Sequence, residues 1–108
     1  MFKFISKLFA SEFESLDGVE FKLRYKQSPN AKLLDVRTPA EFKAGTIQGA
    51  VNIDLMSAGF KQAVAKLDKS KEYFLFCRSG ARSATACKMM SSEGYKVYNL
   101  RGGISSWK

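Results

Sequence analysis

The sequence predicts an α/β domain, a parallel sheet covered by helices on both faces. Three observations carry that prediction. Strand-like and helix-like segments alternate along the chain, the order that builds parallel sheets. The run Glu72-Tyr73-Phe74-Leu75-Phe76 is continuous and aromatic, as a strand buried on both faces should be. The chain has 108 residues, 45% of them hydrophobic and 9 of them Phe. That fills one compact core and leaves no room for a second domain.

In chain order, Met1 to Ala10 looks at first like a secretion signal, but Lys7 interrupts its apolar run and Glu12 follows closely. The segment is expected to be retained and the protein cytoplasmic. Phe2, Ile5, Phe9 and Phe13 are spaced to share one helical face. Residues 1–14 are therefore read as an N-terminal extension, a short amphipathic helix docked on the domain. A membrane-surface anchor through Lys3 and Lys7 is the lesser reading. No apolar run approaches the roughly 20 residues that span a bilayer.

Val19, Phe21, Leu23 and Tyr25 alternate as in a strand, yet Glu20, Lys22 and Arg24 between them are good helix formers. Pattern alone leaves both states open. Ala31 to Val36 reads as a strand after the turn signal Ser28-Pro29-Asn30. Thr38 as N-cap and Pro39 at the first helical position open a helix over 39–44. Gly49 to Ile53 is a short strand, and Asp54 to Leu67 a helix through Leu55, Phe60, Val64 and Leu67. The strand Glu72–Phe76 is followed by a helix from Arg82 to Glu93, closed by Gly94. Lys96 to Leu100 is the last strand and ends at Gly102-Gly103.

Charge and composition narrow the chemistry. Lys and Arg number 18 against 10 acidic residues, a net charge of +8. The excess favours small anionic substrates. Its lysines are scattered, without the interleaved aromatics of a nucleic-acid site, so no nucleic-acid partner is expected. There is no histidine and there are two cysteines. Common zinc sites need four ligands drawn mainly from Cys and His, so no metal and no cofactor is expected. Histidine acid–base catalysis is excluded.

Chemistry concentrates in Cys77-Arg78-Ser79-Gly80-Ala81-Arg82-Ser83. A buried strand delivers Cys77 to the carboxyl end of the sheet, where open α/β folds bind ligands. The Gly80 turn leads directly into a helix, whose N-terminal amides and dipole favour an anion. Arg78 and Arg82 add positive charge. All three effects favour thiolate over thiol and would hold a persulfide anion. Cys77 as a plain core residue gains nothing from such surroundings. Cys87 reads as helix packing. At a rise of about 1.5 Å per residue it lies about 9 Å along the helix axis from Ala81, which makes a bridge to Cys77 improbable. Met89 and Met90 read as core filling.

The sequence resembles the rhodanese family of single-domain thiosulfate sulfurtransferases from about Ser15 to Trp107. The resemblance rests on Leu33-Leu34-Asp35-Val36-Arg37-Thr38-Pro39-Ala40-Glu41-Phe42, Gly45 to Ile53, the Cys77 loop into Ser83, and Leu100-Arg101-Gly102-Gly103-Ile104 with Trp107. It implies a three-layer domain over residues 15–108, with a five-stranded parallel sheet flanked by helices, and it makes Val19–Tyr25 the first helix. It implies Cys77 as the catalytic residue and Arg78, Ser79, Gly80, Ala81 and Arg82 as the substrate loop. Asp35, Arg37 and Ser83 are supporting residues; a carboxylate at Asp35 would hold the active loop or pair with an arginine. Thr46 stands where the family usually has His, outside the loop. Ala81 replaces a commonly polar residue.

The expected function is sulfur transfer through a Cys77 persulfide, from a small anionic donor such as thiosulfate to a thiol or cyanide acceptor. A sulfur-relay protein can take the acceptor's place, and the chain is read as a monomer. The alternative is a persulfide carrier that docks on a partner and turns over poorly alone. Phosphatases and arsenate reductases of similar arrangement carry arginine at the sixth position after the cysteine. Here that position is Ser83 and the arginine comes one earlier, so the loop suits one sulfur atom better than an oxyanion.

Overall fold

A computed structural model describes residues 12–108. Its elements run β1 (Glu14–Leu16), α1 (Gly18–Gln27), β2 (Ala31–Asp35), α2 (Pro39–Ala44), β3 (Val51–Asn52), α3 (Phe60–Ala65), β4 (Glu72–Phe76), α4 (Ala81–Ser92), β5 (Lys96–Leu100) and a 3-10 turn over Ile104–Ser106. The strands form one sheet in the order β1-β5-β4-β2-β3, every pair parallel. From β2 the chain steps outward to β3, and from β4 it steps the other way to β5. The crevice between β2 and β4 is therefore the switch point at which such sheets bind ligands.

Strand alternation divides the core into two layers. Tyr73, Leu75 and Cys77 face one side with Phe60 and Val64 of α3 and Ala86, Cys87 and Met90 of α4. Phe74 and Phe76 face the other with Phe21 of α1, Leu33 and Leu100. There Phe74 stacks on Tyr98 at 4.6 Å between centroids and meets the edges of Phe21 and Tyr25. The predicted three-layer architecture is the one observed.

The segment Val19–Tyr25, which the pattern alone left open, is the helix that the resemblance implies. Asp17 caps it by accepting from the Glu20 amide at 2.9 Å. Phe21 and Tyr25 fall on one face at i and i+4 and turn to the core. Val19 and Leu23 stand in solvent, at 82% and 50% exposure.

One expectation is corrected, and one strand that the residues alone did not reveal completes the five-stranded sheet. The helix foreseen over Asp54–Leu67 is confined to Phe60–Ala65. The Leu55 amide is still bonded to Val36 O beside the sheet. Asp54 Oδ1 and Ser57 Oγ then accept from the amides of Met56 and Gly59, offering the backbone turns in place of a helix. The residues alone showed four strands; the fifth, which the family resemblance implies, is Glu14–Leu16. It is three residues long, and only Leu16 of it is buried, too little for a pattern to register. Of the stripe Phe2, Ile5, Phe9 and Phe13, only Phe13 lies within the described residues, half-buried against the α4 side of the core. No helix among the described residues is long and apolar enough to cross a membrane.

Candidate active site

Cys77 follows the last residue of β4 and is 0% exposed. Gly80 takes a left-handed conformation at φ 99°, which turns the loop back into α4. The turn brings three donors onto one sulfur. The Gly80 amide lies 3.1 Å from Sγ, the Ser83 amide 3.3 Å and Ser83 Oγ 3.3 Å. Burial on its own pushes the Cys77 thiol up. Against burial stand the Ser83 hydroxyl, where its one proton points to the sulfur, and the amides of Ser83, Gly80 and Ser79, and Cys77 sits below the ordinary thiol value. The arginines expected to do this are not among the leading causes.

A second loop holds the first in shape. The Ile104 amide donates to Cys77 O at 2.8 Å. Gly103, at φ 80°, approaches so closely that a Cβ on it would lie 1.9 Å from Arg78 O. Gly103 and Ile104 thus clamp the cysteine loop, so that Gly102-Gly103 is more than the end of a strand. Sequence reasoning read the pair only as that end.

The predicted loop residues divide by what they touch. Arg78, Ser79 and Ala81 are exposed. Arg82 is held by Glu41, whose two carboxylate oxygens accept from its two terminal nitrogens at 2.7 and 2.9 Å. Glu41 is pulled down to about 2, first by Arg82 and then by the Thr38 amide. Glu41 was read only as part of a helix. Its signal was the spacing Thr38-x-x-Glu41, which forms a capping box at the start of α2.

Asp35 and Arg37 pair with each other at 2.7 Å, both buried. Among the described residues their side chains make no hydrogen bond to the cysteine loop. Arg37 donates to Gly45 O at 2.6 Å, and Thr46 Oγ1 donates to Asp35 Oδ2 at 2.9 Å. They fix the C-terminal end of α2, and α2 presents Glu41 to Arg82. Their support of the site is indirect. Asn99, which sequence reasoning passed over, is buried on β5 with its side-chain oxygen 2.5 Å from Ser83 Oγ. Both cysteines are free thiols.

This loop, centred on one sulfur, stands in a chain whose residues 19–108 match the family model for the rhodanese-like domain. The chain belongs to the rhodanese-like family. Among its relatives, a putative sulfurtransferase of Bacillus subtilis, YtwF, is 33% identical over 97 residues, covering 90% of this chain and 92% of the relative. A protein of Allochromatium vinosum named sulfurtransferase is 34% identical over 93 residues, 85% of each chain. Among solved structures, a rhodanese-like domain protein from Staphylococcus aureus superposes with a TM-score of 0.77 at 26% identity, over 89% of this chain and 92% of that one. Both relatives carry names for sulfur transfer and are matched over most of their length.

Proposed function

We propose that this protein moves sulfane sulfur from thiosulfate or a related small anion to a thiophilic acceptor, with Cys77 as the carrier. The observation that supports the reading is the convergence of the Gly80 and Ser83 amides on Cys77 Sγ. Fixed donors around one sulfur favour an anion there without any base, in keeping with a chain that has no histidine. The Cys77 thiolate attacks the outer sulfur of thiosulfate. A Cys77 S–S bond forms, the S–S bond of the donor breaks, and its electron pair leaves with sulfite. An acceptor such as cyanide or a thiolate then attacks the outer sulfur, and the electron pair of that S–S bond returns to Cys77.

In this reading the exposed Arg78 and Ser79 meet the donor first, and Arg82 orients it at the inner side of the loop. The deciding experiment is intact-mass measurement after thiosulfate treatment. The wild type gains one sulfur atom and the Cys77→Ser variant none. No gain in the wild type would refute the proposal.

One observation favours a second reading, a persulfide carrier loaded by a partner protein. Glu41 neutralises Arg82, which weakens the pull on a doubly charged donor. A carrier would load slowly from thiosulfate and rapidly from a protein persulfide, and the two loading rates separate the readings.

A further inference from the structure

Asn99 lies on β5 and turns its side chain towards α4, on the sheet face where Leu34, Leu75 and Val97 build the core. Its amide has one orientation that satisfies its neighbours. The Gly80 carbonyl can only accept, so the amide nitrogen faces it, at 3.4 Å, and also donates to Ser15 Oγ at 3.0 Å. The amide oxygen is thereby turned to Ser83 Oγ, 2.5 Å away, while Ser83 Oγ lies 3.3 Å from Cys77 Sγ.

A hydroxyl carries one proton, and here it has two claimants. Asn99 Oδ1 can only accept, and so can a Cys77 thiolate. With Cys77 as a thiol the chain is satisfied throughout: the S–H donates to Ser83 Oγ and the Ser83 O–H donates to Asn99 Oδ1. With Cys77 as a thiolate one acceptor goes without. Giving the proton to sulfur leaves two oxygens facing each other at 2.5 Å and Asn99 Oδ1 a buried, unpaired acceptor. A persulfide removes the conflict. Its charge sits on the outer sulfur, and Sγ no longer needs the hydroxyl.

We propose that Asn99 is a positioning residue for the sulfur chemistry: it holds the Ser83 proton away from Cys77 and so favours thiol and persulfide over the bare thiolate. The inference rests on the reading of Cys77 as the sulfur carrier. The charged and titratable groups about Cys77 are Arg82, occupied by Glu41; Arg78, exposed beside it in the loop; and Cys87 on α4, kept neutral because burial pushes its thiol up. Among the described residues, Ser83 Oγ has no hydrogen-bond partner besides Asn99 and Cys77.

The test is the pH profile of Cys77 alkylation, resolved from Cys87 by mass spectrometry. It compares the wild type with Ser83→Ala, Asn99→Ala and the double variant. Ser83→Ala leaves the midpoint unchanged or lower, because the lost hydroxyl was serving Asn99. Asn99→Ala lowers the midpoint, with about threefold to tenfold more thiolate on its acid side. That gain disappears in the double variant. A midpoint that rises in Ser83→Ala overturns the proposal, since the hydroxyl would already be serving the thiolate. An Asn99→Ala shift that survives in the double variant overturns it too, since Asn99 would then act by holding Gly80. If Asn99→Ala fails to fold, the Ser83→Ala profile decides alone. Alkylation needs no sulfur donor, so thiosulfate loading is scored separately. Profiles as expected without loading uphold the proton competition and refute the donor reading.

Discussion

A thiol buried among apolar side chains without hydrogen bonds stays protonated, and Cys87 is in that position: burial raises it well beyond the ordinary range. Cys77 is equally buried, yet fixed amides converge on it and lower it. Cys77 should therefore alkylate at pH values below the usual thiol midpoint of about 8.5, while Cys87 stays protected until the protein unfolds. Site-resolved alkylation rates against pH check both halves, and a Cys77 rate that rises only near that midpoint would disprove the cradle. Cys87→Ser should keep most of the sulfur-loading activity that Cys77→Ser loses. Gly103 is the other decisive residue. A side chain there meets Arg78 O and needs a left-handed backbone. Gly103→Ala should cost about 2 kcal/mol or more in urea unfolding and raise the Cys77 midpoint. Cys77 was legible because a cysteine at the end of an aromatic strand, followed by a glycine turn, is locally distinctive. Asn99 was not, because its partners Ser15, Gly80 and Ser83 are brought to it only by the finished fold.

Among the elements, α2 has no buried residue of its own. It is held from outside: Thr38 caps its start, Arg37 grips Gly45 at its end, and Glu41 joins it to Arg82 at the start of α4. Glu41 titrates at about 2 from an ordinary value of 4.5. A depressed carboxyl stabilises the fold fully above its unfolded value and loses that contribution as pH falls through the folded one. The stability difference between wild type and Glu41→Gln should therefore be full above about pH 4.5 and vanish towards about pH 2, and its size, for a pair near the surface, is at most about 1 kcal/mol. Urea unfolding at a series of pH values reads it, and a difference that does not depend on pH would show that the ion pair adds nothing. Arg82→Ala should raise KM for thiosulfate more than it slows sulfur release from loaded Cys77; equal losses would mean that Arg82 only shapes the loop. The helix start was readable from Thr38 and Pro39. The bridge from Glu41 to Arg82 was not, because it joins residues far apart in the chain.

At the level of the whole molecule, the alternation of strands and helices disclosed the sheet and its two covered faces. The order of the strands was not legible, because periodicity records burial and carries no information about neighbours. The net charge of +8 adds a long-range field to the site. From about 0.01 M to about 0.15 M salt the screening length falls from about 30 Å to about 8 Å. Turnover with thiosulfate should drop several-fold over that range in kcat/KM, while alkylation by neutral iodoacetamide should barely change. Equal salt dependence of the two would show that the field does not steer the donor.

The clamp formed by Gly103 and Ile104 also sets a schedule. On the ribosome Cys77 emerges before Asn99, Gly103 and Ile104, so a growing chain carries the nucleophile before the parts that shape its surroundings. Until those residues arrive, Cys77 titrates as an unstructured cysteine and remains largely protonated at neutral pH. A nascent chain stalled ahead of Asn99 should alkylate with the midpoint of a free peptide thiol, and one released beyond Ile104 with the lowered midpoint of the folded domain. The lowered midpoint thus belongs to the folded loop and its clamp, and the thiol acquires it only once the residues through Ile104 have closed around it.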